Sequence, residues 1–113
     1  MPHASPLTLT VDESNATLRL RLTGDFDLAG VGAVERALDR LSQAPVPSRV
    51  VFDLHGLAFL GLAGLRTILR ADAQVRAGAF DVVVVRPRGI ANRVFTLTRA
   101  GDELHLVDEP AAA

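Results

Sequence analysis

The sequence has no cysteine, no lysine, no tryptophan and no tyrosine, and each absence removes a class of chemistry. Without cysteine there is no disulfide, no thiolate metal ligand and no cysteine nucleophile. Without lysine there is no Schiff-base chemistry and no P-loop lysine. The 12 basic residues are all arginine, set against 13 acidic ones for a formal net charge of -1. They are scattered and form no basic stripe of the kind that binds phosphate backbones. Phenylalanine is the only aromatic type, so platforms for base stacking are thin as well. These features set nucleic acid aside as a partner. The longest apolar run, Gly56 to Leu65, falls far short of the ~20 residues that span a bilayer, so no direct membrane insertion is expected. The start, Met1-Pro2-His3-Ala4-Ser5-Pro6, has no basic segment leading into an apolar one, and the expectation is a cytoplasmic protein.

What is present is a 113-residue chain that is 49% hydrophobic. That suits one domain, 1–113 with an ordered core of about 7–108, and a chain of this length buries roughly two-thirds of its unfolded surface. Leu7, Leu9 and Val11 alternate with Thr8, Thr10 and Asp12. After Glu13-Ser14-Asn15 the alternation resumes, with Ala16, Leu18, Leu20 and Leu22 against Thr17, Arg19, Arg21 and Thr23. Two such runs around a polar turn predict an antiparallel hairpin. The period then changes. Val31, Val34, Leu38 and Leu41 share one side, and Glu35, Arg36, Asp39, Arg40 and Gln43 the other. This predicts an amphipathic helix, with Asp27 as a candidate N-cap and Pro45 and Pro47 as its end.

Arg49 to Leu54 and Asp81 to Arg86 are β-branched-rich runs without alternation, the pattern of central parallel strands covered on both faces. Between them Leu62 to Ala77 reads as a helix closed by Gly78. A third helix is predicted over Ile90 to Thr98 and a last strand over Glu103 to Val107, with a frayed tail from Glu109 to Ala113. The fold class is therefore α/β, in the order ββαβαβαβ. It has a mostly parallel sheet of four to five strands, an antiparallel N-terminal hairpin and three helices.

No catalytic apparatus can be assembled from these residues. His3, His55 and His105 share no helical metal spacing, and no carboxylate cluster accompanies them. None of Ser5, Ser14, Ser42 and Ser48 lies on a nucleophile elbow. Gly30-Val31-Gly32-Ala33-Val34-Glu35 half matches a dinucleotide fingerprint, but Glu35 takes the third glycine position and would oppose a pyrophosphate. Asp25, Asp27 and Asp53 offer an acidic pocket for Mg²⁺, although capping and turn roles are the commoner use of such aspartates and are preferred. No metal, no cofactor and no enzymatic activity are expected.

One segment stands out, Phe59-Leu60-Gly61-Leu62-Ala63-Gly64-Leu65-Arg66. Gly61 and Gly64 frame a helix N-terminus, where free N–H groups and the dipole favour negative charge. Helical projection turns Leu65, Ile68, Leu69 and Ala73 inward and places Ala63, Arg66, Thr67, Arg70 and Gln74 opposite. Arg66 and Arg70 repel at i, i+4. Either they form a binding face for an acidic partner, or they form a solvated face on which Asp72 eases the repulsion. Spacing alone leaves the two even.

At this segment the sequence resembles the STAS family, whose best-known soluble members are bacterial anti-sigma factor antagonists. Gly24-Asp25-Phe26-Asp27 is similar to that family's Gly-Glu-Leu-Asp after the second strand, and Val50 to Leu54 to its Asp-Leu strand. Phe59 to Leu65 falls where the family has Phe-Leu-Asp-Ser-Ser-Gly-Leu, and Leu97 to Gly101 resembles its Leu-Thr-Gly segment with an insertion. The resemblance implies a partner, an anti-sigma factor with a histidine-kinase-like ATPase fold, that binds the unmodified antagonist and phosphorylates the second serine of Asp-Ser-Ser-Gly. Here Gly61, Leu62 and Ala63 replace Asp-Ser-Ser, so the acceptor position, Ala63, has no hydroxyl, while Asp27 is retained. The interface implied by the resemblance comprises Asp25, Phe26, Asp27, Gly61, Leu62, Ala63, Gly64, Arg66, Thr67 and Arg70. Thr67 is the hydroxyl to check for modification elsewhere, against the plainer reading of a surface threonine. Two alternatives are an accessory subunit of an ABC-type membrane transport complex and a small-ligand sensor at the Leu62 helix start. For the sensor, no basic or aromatic clamp is visible nearby. A homodimer through the hairpin edge stays open.

Overall fold

The computed structural model describes residues 6–43, 45–78 and 80–108. Its strands are β1 (Thr8–Ser14), β2 (Thr17–Phe26), β3 (Arg49–Leu60), β4 (Asp81–Val85) and β5 (Leu106–Val107), and its α-helices α1 (Val31–Leu38), α2 (Leu62–Ala77) and α3 (Gly89–Thr98). The strands form one sheet in the order β1-β2-β3-β4-β5. β1 and β2 are antiparallel, and every later pair is parallel. The expected fold class and element order are therefore observed. The expected tail from Glu109 to Ala113, and His3, lie outside the described residues.

The hairpin turns on Asn15 and Ala16, with φ of 51° and 61°. Two central residues in the left-handed region match the twist of the strands they join. Ala16, expected in the second strand, is thus part of the turn. Leu18, Leu20 and Leu22 are buried, while Val11, expected to face inward with them, is 51% exposed. Leu7 and Leu9 pack against the core and Val11 does not. α1 ends at Leu38 and tightens into a 3₁₀ turn, Asp39–Ser42, in place of one continuous helix to Leu41.

One hydrophobic core joins Leu20, Leu22, Phe52, Leu54, Val82 and Val84 of the sheet to Val34 of α1, Leu65 and Ile68 of α2, and Phe95 of α3. All three helices therefore lie on one face, as right-handed crossovers in a sequential strand order require. The expectation of central strands covered on both faces is met by helices on this face only. The opposite face carries Arg19, Arg21 and Asp53, with Val51 and Val85 buried among the central strands. β5 is short, because Ala100–Glu103, partly expected as strand, forms a 3₁₀ turn. Among the described residues no helix is long and apolar enough to cross a membrane.

Candidate functional site

β3 runs to Leu60, six residues beyond the expected end at Leu54, and β2 runs beside it to Phe26. Asp25 pairs with Phe59 and Phe26 with Leu60, after two register shifts that let the strands keep company. Gly24-Asp25-Phe26 and Phe59-Leu60 are thus strand, where the sequence reading ended each strand earlier. Gly61 then donates its N–H to the Phe26 carbonyl at 2.9 Å, and α2 begins at the next residue. Gly61 is extended and gives α2 no side-chain cap, and a helix start without one favours a nearby anion.

The glycines make this junction possible by close approach. A Cβ on Gly64 would stand 2.5 Å from the Phe26 carbonyl oxygen and 3.0 Å from Leu60 Cδ1, so the first turn of α2 rests directly on the end of β2. A Cβ on Gly61 would stand 2.9 Å from Asp27 Oδ2 and closer still to its Cγ and Oδ1. The Asp27 carboxylate therefore lies over Gly61. It makes no side-chain cap bond to the 3₁₀ turn Leu28–Gly30 that precedes α1, which corrects the expected capping role. Negative charge at the start of α2 comes from Asp27 rather than from residue 61.

α2 also buries a different stripe from the expected one. Gly64, Leu65, Thr67, Ile68, Ala71, Asp72 and Val75 are buried, while Ala73, expected inside, is exposed and Leu69 half-buried. At 100° per residue the buried arc is rotated by roughly a quarter turn toward Thr67, because α2 packs on α1 as well as on the sheet. Thr67 is therefore neither a surface threonine nor on the exposed face. It is only 2% exposed, and its hydroxyl donates to the Ala63 carbonyl at 2.8 Å, which satisfies it inside the core. Asp72, expected to ease the Arg66–Arg70 repulsion, is buried and pairs with Arg76 Nε at 2.9 Å.

The residues expected at the interface separate into two layers. Phe26, Gly61, Gly64 and Thr67 are buried beneath the surface, whereas Leu62, Arg66 and Arg70 are exposed and Asp25, Asp27 and Ala63 partly so. The three aspartates do not converge. Asp53 pairs in register with Arg21, four residues before Asp25 on β2, and it is buried on the helix-free face. There its carboxylate accepts Arg21 Nε at 3.4 Å and the His55 N–H at 3.1 Å, with Arg19 at 4.0 Å. Among the described residues no group of histidines and carboxylates could hold a metal.

Two exposed aliphatic residues beside this surface were not singled out in the sequence, Leu28 and Ile90, 75% and 73% exposed. Leu28 opens the 3₁₀ turn after β2 and Ile90 is the second residue of α3, and a large apolar residue at a helix start is the signal that could have found them.

The family model of the STAS domain matches residues 8–113. Over 80 residues the chain is 30% identical to the anti-sigma-F factor antagonist RsfB of Mycobacterium tuberculosis, in two strains. That match takes in 71% of this chain and 65% of the relative's length. The crystal structure of an anti-sigma factor antagonist from Mycobacterium paratuberculosis superposes with a TM-score of 0.79 at 24% identity, covering 96% of this chain and 92% of that one. The anti-sigma factor antagonist SpoIIAA in its unphosphorylated form gives 0.73 at 18% identity, with 90% of each chain covered. At these identities the two structures establish a shared fold.

Proposed function

This chain belongs to the STAS domain family, and from that premise we propose that it is an anti-sigma factor antagonist that binds its partner without covalent control at the start of α2. The partner in this reading is an anti-sigma factor of the histidine-kinase-like ATPase type, and the chain acts by binding and not by catalysis. RsfB, an antagonist by name, supports this reading, as does the resemblance of Phe59 to Leu65 to the family's switch motif.

The observation that carries the proposal is Leu62. On the same helix Leu65 and Ile68 are buried, yet Leu62, on the first turn, is 59% exposed. Folding gains little from an apolar side chain left in water, and a partner that covers it gains its transfer energy. Beside it Arg66 and Arg70 are exposed and pair with no carboxylate among the described residues. The i, i+4 repulsion, a few tenths of a kcal/mol, is relieved when an acidic surface docks.

The absent switch follows from side-chain chemistry. A phosphoryl group on residue 63 would bring about two negative charges into the packed contact, with repulsion and desolvation to match. Ala63 offers no oxygen to carry one, and the Thr67 hydroxyl one turn on is buried and already bonded to the Ala63 carbonyl. Release must then be governed by protein abundance or by the partner's own state. Mixing the purified chain with a purified anti-sigma factor of this type tests the reading by size-exclusion chromatography. A stoichiometric complex that Leu62→Asp abolishes is expected, and two separate peaks for the unaltered chain would contradict it.

A further inference from the structure

We infer that the docking surface continues from α2 across the end of the sheet and along α3, and that it fits a folded partner presenting an apolar strip bordered by carboxylates. The inference rests on the antagonist reading and deepens it by giving the chemistry of the partner's surface.

The parallel register brings the apolar groups together. Leu28 and Leu62 each follow the Phe26–Leu60 rung by two residues, so the two exposed leucines emerge side by side. β4 pairs with β3 only as far as Asp53, which leaves the last part of β3 overhanging. α3 packs against β3 there, and a cleft of about 410 Å³ between them is lined by His55, Leu57, Ala58, Arg88 and Ile90. Ile90 therefore sits against the same end of β3 from which Leu62 emerges. Leu97 lies seven residues further along α3, on the same helical face, and is 74% exposed. Most of the large aliphatic side chains exposed on this molecule thus follow one another along one path, while Val11 and Val46 lie elsewhere.

The charges select the occupant. Most arginines outside this surface are matched by carboxylates, among them Arg40 with Glu13, Arg49 with Asp81, Arg86 with Asp108 and Arg99 with Asp102, while Arg36 on α1 is exposed and pairs with none among the described residues. Arg66 and Arg70 on α2, Arg88 at the N-cap of α3 and Arg93 on α3 are exposed and have no such partner among the described residues. Unneutralised guanidinium groups around an apolar path suit Asp and Glu on the opposing surface, which steer encounter and set orientation while the aliphatic contacts hold the complex. A second copy of this chain would bring the same arginines face to face.

Isothermal titration of a purified histidine-kinase-like anti-sigma factor into the full chain tests this. Ile90→Ser and Arg88→Glu should each raise Kd about tenfold or more, as central anchors and charge reversals do. The Arg88→Glu loss should shrink as salt rises. Val46→Ser should stay within about twofold, and the melting temperatures should not move, since all three side chains are exposed. Unchanged Kd for Ile90→Ser and Arg88→Glu, with Leu62→Ser still impaired, would overturn the inference and leave the antagonist reading standing. No binding by the unaltered chain would remove both. A chain that self-associates and becomes monomeric on Ile90→Ser would give the surface to a second copy and overturn the inference as well.

Discussion

Replacing Gly64 with alanine puts one methyl group where α2 rests on the end of β2. The added Cβ would lie 2.5 Å from the Phe26 carbonyl oxygen, well inside contact distance. That oxygen cannot retreat as a side chain can, since it accepts the Gly61 N–H at 2.9 Å. Overpacking of this kind costs about 1–3 kcal/mol, and weakening the Gly61–Phe26 bond adds about 0.5–1.5 kcal/mol. Alanine's better helix propensity returns about 1 kcal/mol. The net expectation is a loss of about 1–3 kcal/mol, a large fraction of the 5–15 kcal/mol typical of a domain. Urea denaturation reads it directly, as a fall of about 0.5–2 M in midpoint with an unchanged slope. Gly61→Ala is the matched control. Its Cβ meets the carboxylate end of Asp27, which can rotate away for about 0.5–1.5 kcal/mol. That is offset by about 0.4–1 kcal/mol from restricting the unfolded chain, so its midpoint should hardly move. A Gly64→Ala chain as stable as the original, or a Gly61→Ala chain less stable than Gly64→Ala, would refute the reasoning.

Other substitutions separate fold from surface. Asp53→Ala removes the buried acceptor of the His55 N–H and the counter-charge of Arg19 and Arg21. Because Arg21 is half exposed, the loss should be about 2–3 kcal/mol in urea, below the full cost of breaking a buried pair; a change under about 0.5 kcal/mol would contradict it. Thr67→Val should shift stability by less than about 1.5 kcal/mol and leave partner affinity alone; an affinity loss at constant melting temperature would return Thr67 to the interface. Arg66→Glu with Arg70→Glu should weaken binding by tenfold or more with little change in melting temperature, and a large drop in melting temperature would make that face structural. Ala63→Ser should create a phosphate acceptor for a partner that retains kinase activity, read by intact mass. If such a partner binds the variant and leaves it unmodified, the alignment of position 63 with the family's serine is wrong.

Much of the fold is legible in the sequence. Both ends of α2 were read correctly from Leu62 and Gly78, and the two alternating runs gave the hairpin with Leu18, Leu20 and Leu22 inside. The misses share one physical cause, which is that neighbouring elements decided them. Thr67 looked like surface because Leu69 and Ala73 drew the apolar stripe to one side, yet α1 packs where Thr67 points. The Gly56-to-Leu60 stretch lacks strand alternation and is strand because β2 pairs with it through two register shifts. Asp27 has the composition of a cap, but Gly61, distant in sequence, leaves the space its carboxylate fills. Leu28, Leu62 and Ile90 are single apolar residues on separate elements, and only the β2–β3 register and the packing of α3 beside the overhanging end of β3 bring them to one end of the sheet.

The central claim is binding that phosphorylation at residue 63 cannot reverse. The measurement is the chain's affinity for a purified histidine-kinase-like anti-sigma factor, before and after prolonged incubation of the two with Mg²⁺ and ATP, with the chain's intact mass followed in parallel. The account predicts tight binding, the same Kd at both times and an unmodified mass throughout. A phosphate adduct accompanied by loss of binding would contradict it.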